Sequence, residues 1–517
     1  MGSPLSKEIS AAKKQDRLDL SQRNLKELPG REIAIKCAKH LGHLNVSQNV
    51  LTFVPPELTA LVNLKTLNVS KNTITAFPAS LPASLVEINF SSNRLFSTPI
   101  PSTISELTNL IKLDLSGNQL DEIPEIIAKL QQLKEINIGS NALTTLPFGI
   151  YTLSRLQVLQ AKGNRIRFIG ANIANMLSLK ELNLTDNLIA TLPETISNLP
   201  NLTVFLIGEN RLRQLPDSIG NMAKLELLDI QDNRDLADLP GSIARLRGLK
   251  GINIRNIRLE ALPSGLKYWS NLVELIMKEN RQIEELPQFI GSLVRLKRLD
   301  ANSCSLKQLP DGIGSLADLV YLDLRRNQLG SYAIPNAISQ LSKLQRLFLS
   351  KNCIEFIPDE LCLLGALLEF DISDNMLVTL PDNIGQLAAL QRLYLNNNNI
   401  EYMPDSLGCL VNLEVLEMRS NRMTALPQQL SQCVRLQRLD VSHNLLADLP
   451  EGLFNCGDLT TLDITDNPFD NPPQAVIALG MGAVLKHLEK QYRDKQKKRK
   501  GSKGTLNGKS RDYLSHQ

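Results

Sequence analysis

Apolar residues recur along this chain in one fixed frame. Leu113-Asp114-Leu115 alternates apolar and polar positions and is followed by Asn118, by Leu120 and by the pair Ile123-Pro124. The same order returns at Ile136, Asn141 and Leu146-Pro147, and again at Leu182, Asn187 and Leu192-Pro193. Anchored on the first apolar residue of L-x-L-x-x-N-x-L, the starts fall at 18, 44, 67, 88, 113, 136, 159, 182, 205, 228, 252, 275, 299, 322, 347, 370, 393, 416, 439 and 462. These are twenty units, and thirteen of the nineteen intervals are 23 residues, so the chain is a repeat array. Each unit leaves an apolar flank uncovered and is stable only within the stack.

Within a unit, the period-two alternation predicts a short strand whose Leu pair points inward. The Asn five residues on stands where the chain turns away, and its amide can bond the backbone of its own and the adjacent turn, predicting a ladder of stacked Asn. Seventeen units keep it; Arg23, Ile257 and Cys304 are the exceptions. Cys304 is tolerable as a small buried weak donor, whereas Ile257 has nothing to bond with and is expected to weaken the ladder locally. Leu-Pro then starts the return: Pro fixes φ, and the x-x-Ile/Leu-x-x-Leu that follows has the spacing of a short helical turn. Asn233-Arg234-Asp235-Leu236 and Asn280-Arg281-Gln282-Ile283 each add one residue after Asn, Leu329–Pro335 adds two, and Thr98-Pro99-Ile100-Pro101 fills a 25-residue interval. All read as bulges on the turn or convex side.

These residues resemble the leucine-rich repeats, with the pattern L-x-x-L-x-x-L-x-L-x-x-N-x-L-x-x-L-P. The 23-residue length with Leu-Pro is similar to the intracellular Ras group. The likeness extends to the ends, through Leu18-Asp19-Leu20-Ser21-Gln22-Arg23-Asn24-Leu25 and through Asn467-Pro468-Phe469 with Pro472-Pro473-Gln474-Ala475-Val476 and Ala483–Leu488. The resemblance implies an α/β solenoid, a horseshoe of about twenty repeats with a parallel concave β-sheet and helical end caps. It further implies a scaffold in signal transduction, with a small GTPase or a protein phosphatase catalytic subunit as partner.

The array divides the chain into an N-terminal segment or cap (1–17), the solenoid (18–472), a C-terminal capping helix (473–492) and a basic tail (493–517) expected to be disordered. Residues 4–16 read as a short polar helix over the first strand. Val476, Leu479, Val484, Leu485 and Leu488 give 473–492 an apolar face for the last one. Composition sharpens the division. Apolar residues are 43% and aromatics only 4%, so an ordered aliphatic core is expected and a disordered chain is excluded. The net charge of +4 conceals a tail with nine basic and two acidic residues, which leaves −3 for residues 1–492. Lys497-Lys498-Arg499-Lys500 has the form of a nuclear-import run. With Gly2 of Met1-Gly2-Ser3-Pro4-Leu5-Ser6, which fits an N-myristoylation motif, the tail could instead hold the chain at an anionic membrane.

No run of about 18 apolar residues exists, and the N-terminus has no secretory core. Seven Cys without a C-x-x-C pair suit a reduced cytoplasmic protein, with the nucleus as the alternative location, and the five Asn-x-Ser/Thr sequons then read as ordinary repeat residues. Catalytic, cofactor and metal sites are not expected. The five His are scattered, and Gly504–Ser510 is one residue short of a phosphate-binding loop and lacks its strand. Arg165-Ile166-Arg167-Phe168 has the form of a phosphatase-docking peptide, but Ile166 occupies a buried repeat position. Function is therefore sought on the exposed strand positions. Ser, Asn, Asp, Glu and Lys dominate there, except between residues 276 and 394, where Ile276, Lys278, Arg298, Tyr321, Arg325, Arg326, Phe348, Lys351, Arg392 and Tyr394 supply the Arg and aromatic groups that carry binding energy at protein interfaces. Asp300, Asp323 and Asp371 offset part of that charge, which argues for a protein-docking strip and against a nucleic-acid track.

Overall fold

The structure, a computed structural model, describes residues 4–12, 15–96 and 100–506. Gly2, Thr98-Pro99 and residues 507–517 lie outside the described residues. Two compact units are present: Met1–Leu259 with Pro263–Leu272, and Glu260–Leu262 with Val273–Gln517. Among the described residues the first holds eleven three-residue strands, from Arg17–Asp19 to Gly251–Asn253, and the second holds nine, from Glu274–Ile276 to Thr461–Asp463. Every anchor residue read from the sequence is the middle residue of its strand. Within each unit the strands are parallel and pair with their sequence neighbours anchor to anchor, as in Leu113↔Ile136 and Leu322↔Leu347. The fold is an α/β solenoid of leucine-rich repeats.

The return segments follow from Pro. Pro124, with φ −69° and ψ 146°, precedes the 3-10 turn Glu125–Lys129, and the Leu130 N–H closes it on the Ile127 carbonyl at 3.0 Å. Ile127 and Leu130 point inward and are fully buried. Leu and Ile fill the core almost throughout. The one Trp, Trp269, is buried in the first unit with its indole N–H donating to the Ile243 carbonyl at 3.0 Å, as a buried indole requires.

The Asn ladder is present and has a regular form. Asn164 accepts the Leu143 N–H at 3.0 Å and donates to the Ile138 and Ala161 carbonyls, both at 3.0 Å. One ladder Asn thus holds two consecutive turns together. The residue before each ladder position is left-handed in all twenty units, with φ between 49° and 69°. Only Gly117 and Gly163 supply Gly there; the other positions are polar or charged, and none is β-branched.

Ile257 supplies neither the acceptor nor the donors of a ladder Asn, and the insertion one unit earlier compensates for the missing acceptor. In regular units the Leu two residues past the ladder Asn donates its N–H to the next unit's Asn, as Leu212 does to Asn233 at 2.9 Å. An alkyl side chain at 257 offers no acceptor. The added residue in Asn233–Leu236 lets the Leu236 N–H turn back onto the Asn233 carbonyl at 3.0 Å instead. The second insertion repeats the arrangement: the Ile283 N–H bonds the Asn280 carbonyl at 3.1 Å, and the next ladder residue is Cys304. Cys304 Sγ donates to the Met277 carbonyl at 3.4 Å, where a ladder Asn would donate. The insertion after Leu329 is of another kind, for there the next unit keeps Asn352 and Leu329 bonds it at 3.1 Å.

The ends carry helices. Helix α1 (Pro4–Ala12) buries Ile9 and Ala12. Helix α2 (Gly30–Cys37), not foreseen in the sequence, occupies the 26-residue first interval and carries a Glu32–Lys36 pair at 2.5 Å. At the other end α3 (Gln474–Ile477) and α4 (Met481–Leu506) are divided by Gly480, whose φ of +88° breaks the single helix read over 473–492. Val484 and Leu488 are buried, while Leu479 is 77% exposed. Helix α4 continues through residues 493–506, the first part of the segment read as disordered. Lys, Arg and Gln are good helix formers, and Arg493 pairs with Glu489 one turn back at 2.5 Å.

Candidate docking surface on the second unit

All ten strip residues lie in the second unit, and the structure joins four of them into one stack. Tyr321 heads the strand Tyr321–Asp323, between Arg298 and Arg346 in register. The Arg298 guanidinium lies over the Tyr321 ring at 4.3 Å. Tyr321 meets Phe348 with centroids 5.4 Å apart and planes tilted by 53°, and the Arg325 guanidinium lies over Phe348 at 4.9 Å. The sequence Arg298–Tyr321–Phe348–Arg325 therefore runs continuously across three adjacent strands, with every member half-exposed. Such contacts contribute about 0.5–1.5 kcal/mol each between aromatic rings and about 0.5–1 kcal/mol for an exposed cation over a ring, which favours one arrangement of the surface before any partner arrives.

Asp323 organises the stack. Only 1% exposed, it accepts the Arg325 backbone N–H at 3.1 Å, the Arg325 Nε and Nη2 at 2.9 and 2.6 Å, and the Tyr321 hydroxyl at 3.2 Å. The bidentate pair raises the Arg325 pKa further above its ordinary value. It also means that Arg325 offers a flat stacking face more than a free charge. The sequence reading counted Asp323 only as an offsetting charge; its structural signal is Asp at one strand position and Arg two residues on, where the carboxylate caps the turn N–H. Asp300 occupies the equivalent place one strand earlier, and burial, reinforced by the Asp323 charge, pushes its pKa up. Arg298 reaches Glu274 at 3.2 Å and Asp300 at 3.7 Å. Burial likewise raises the pKa of the Tyr321 and Tyr394 hydroxyls.

The other six residues lie outside this stack. Ile276 is beside Asp300 and Tyr394 beside Asp371, at opposite flanks of the strip. Arg392 stands in register with Glu369. Lys278 is half-buried near Asp300. Arg326 and Lys351 occupy the left-handed position before the ladder Asn, with φ of 55° and 60°, and are exposed on the turn.

The first unit carries a different strand face. A groove of about 580 Å³ crosses its first five strands, lined by polar residues such as Asp19, His43, Thr66 and Lys112. Several of these bond one another, with His43 Nδ1 2.8 Å from Thr66 Oγ1 and Asn45 Nδ2 donating to Asp19 at 3.2 Å, and Lys112 reaches Glu135 outside the groove at 2.7 Å. Ile166 of Arg165–Phe168 is fully buried, so its motif is unavailable as a docking peptide. Among the described residues no group of three or more His, Cys, Asp or Glu is placed to hold a metal, and no helix is long and apolar enough to cross a membrane.

Comparison with known proteins agrees with the repeat geometry. The family model described as leucine rich repeat matches residues 108–166, 177–234 and 367–423. No curated protein sequence matches the chain. An LRR protein of Leptospira interrogans is 26% identical, with 92% of this chain and 96% of that one covered and a TM-score of 0.63. A plant peptide hormone receptor, RGFR1 in complex with RGF2, is 25% identical over 90% of this chain and 76% of that one, with a TM-score of 0.67. The Arabidopsis receptor kinase HAESA, in complex with the peptide hormone IDA and the co-receptor SERK1, shares the fold at 24% identity, with 88% and 82% covered and a TM-score of 0.58. The in-register strands of each unit, their Asn ladder and these likenesses agree on one fold, the leucine-rich-repeat solenoid.

Proposed function

We propose that the chain is a non-enzymatic scaffold that docks protein partners on the strand face of its second unit. The observation that carries this reading is the Arg298–Tyr321–Phe348–Arg325 stack, an ordered set of half-exposed aromatic and guanidinium surfaces. Residues of this kind dominate interface energetics, and their preorganisation lowers the entropy cost of binding. Protein binding as such agrees with the peptide complexes formed by two of the similar structures.

The repeat type supports a more specific reading. Its likeness to the Ras group, with end segments that resemble those of leucine-rich repeat-containing protein 40, favours a cytoplasmic role in signal transduction and a small GTPase or a phosphatase catalytic subunit as partner. The test is affinity capture with the purified chain, using nucleotide-locked small GTPases and a phosphatase catalytic subunit as separate baits. Tyr321→Ala with Phe348→Ala leaves the Arg325–Asp323 pair intact and is expected to weaken capture about thirtyfold or more. Asn137→Ala with Lys162→Ala, on the first unit, is expected to leave it unchanged, and the reverse pattern would reject the docking face.

The basic residues at 493–517 support a second reading, in which the tail, with or without acylated Gly2, places the chain at an anionic membrane or in the nucleus. Removing residues 493–517 separates the two. Lost membrane or nuclear enrichment with unchanged partner capture makes the segment an address, whereas lost capture makes it part of the binding surface.

A further inference from the structure

We propose a second interaction site, on the turn flank of the first unit, that takes an acidic polypeptide segment. It rests on different residues from the strand-face strip and stands or falls separately. A groove of about 980 Å³ opens beside Asn210, the ladder Asn of the ninth repeat, and spans the seventh to tenth repeats. Arg167 forms one wall, Arg211, Arg213 and Arg234 form the other, and Leu188 and Ala190 lie between them.

This arrangement follows from repeat periodicity. In repeats without an insertion the residues one and three places after the ladder Asn project onto the same flank, one row per repeat, with rows about 4.8 Å apart. The chain puts Arg at both places in the seventh and ninth rows, and Leu188 and Ala190 in the eighth. The result is two cationic walls roughly 10 Å apart across an apolar floor.

The four guanidinium groups are available for a ligand. All four residues are exposed, and among the described residues no carboxylate pairs with any of them. Some basic side chains of the same unit are held by carboxylates, as Arg23 is by Glu8 at 2.8 Å and Lys250 by Glu226 at 2.8 Å. Two carboxylates also line the groove. Asp232 is already engaged by Asn256 Nδ2 at 2.5 Å and lies 3.7 Å from Arg255, which leaves Asp235 as the local counter-charge. Positive charge is therefore in excess at the opening, and it is supplied by Arg, whose planar fork matches carboxylates bidentately.

The lining selects among anionic partners. It contains no aromatic side chain on which bases would stack, which disfavours single-stranded nucleic acid. The apolar floor suits an aliphatic side chain set between carboxylates, so the occupant is an Asp/Glu-rich segment carrying a Leu or similar residue. The volume is at the upper end of small-molecule cavities and suits a short stretch of extended chain.

The experiment is fluorescence anisotropy on the full chain with a short labelled peptide of alternating Glu flanking a central Leu. Isosteric Gln peptide and a single-stranded oligonucleotide of equal charge serve as comparison ligands. The Glu peptide is expected to bind, to weaken with rising salt, and to lose about tenfold or more in affinity in Arg211→Gln with Arg213→Gln. Because the basic tail also attracts acids, Lys497→Gln with Lys498→Gln is the matched control, expected to change affinity much less. Tyr321→Ala should leave peptide binding unchanged, which keeps this result distinct from failure of the strand-face reading. Glu-peptide binding no tighter than that of the Gln peptide, equal loss in the tail control, or an oligonucleotide that binds more tightly and is displaced by the same Arg substitutions would each overturn the proposal.

Discussion

Coupling between Ile257 and the insertion after Asn233 gives the most exacting test of the repeat physics. The Leu236 N–H is buried and bonds the Asn233 carbonyl at 3.0 Å only because one residue has been added to that turn. Deleting Asp235 restores the Asn-Arg-Leu spacing seen at Asn210-Arg211-Leu212 and removes that bond. The freed N–H then faces an alkyl side chain, at a cost of about 1–3 kcal/mol for a buried unsatisfied donor. Ile257→Asn alone is also costly. It gives up the burial of an Ile that is 2% exposed, roughly 2–3 kcal/mol, and adds a side-chain carbonyl whose natural donor is already engaged. Combined, the two changes regenerate the regular bond, of the kind Leu212 makes to Asn233 at 2.9 Å. The double variant should therefore be more stable than the sum of the single costs by about 2 kcal/mol. Urea unfolding of the four proteins gives the cycle. Amide exchange at Leu236 gives a local reading that does not depend on two-state behaviour, which long repeat arrays often lack. Additivity within about 0.5 kcal/mol, or an unchanged Leu236 protection factor in the deletion variant, would refute the compensation argument.

Other expectations follow from the same geometry. Asn164→Ala removes an acceptor and donors that serve three buried backbone groups and is expected to cost roughly 2–4 kcal/mol by urea denaturation. Glu209, left-handed at φ 54° and exposed, should gain up to about 1 kcal/mol on replacement by Gly and lose stability on replacement by Val. Burial pushes the thiols of Cys362 and Cys433 up to about 12 and that of Cys456 up to about 11, against an ordinary 9.0. The unfolded chain releases these protons from about pH 9 while the folded chain holds them, so this contribution to stability is complete below pH 9 and is lost as pH rises toward 11–12. Cys433→Ala should flatten the fall of the urea midpoint over that range. At pH 8 a thiol reagent should modify the exposed Cys353 and Cys409 well before the five buried cysteines.

Much of the architecture was legible in the sequence because repetition turns a weak local signal into a strong one. A single Leu-x-Leu is ambiguous, but twenty in one frame place every strand to the residue. The ladder Asn and the Pro-led returns were legible for the same reason. What escaped depends on relations between units or on single local departures. The left-handed residue carries no one-letter mark, since Lys71, Ser92, Asp186 and His443 all adopt it, and only the absence of β-branched residues betrays it. The two insertions read as bulges in the sequence, whereas their backbone bonds replace an acceptor that the following ladder residue lacks. Helix α2 depends on the three residues by which its interval exceeds the common period, and the break at Gly480 on one positive φ. On the strand face, residue types identified the strip, but not that Asp323 would bind Arg325 and orient Tyr321. The groove between Arg167 and Arg213 was missed because its walls belong to alternate repeats and lie on a flank where no function was sought.

The central claim is that the aromatic strand face of the second unit is where a partner sits. Hydroxyl-radical footprinting of a captured complex, set against the free chain, measures this side chain by side chain. The account predicts that Tyr321, Phe348 and Tyr394 lose reactivity on complex formation, while Tyr332 and Tyr402, exposed at 87% and 57%, react as before. Unchanged reactivity at Tyr321 and Phe348, with protection at Tyr332 and Tyr402 instead, would contradict it.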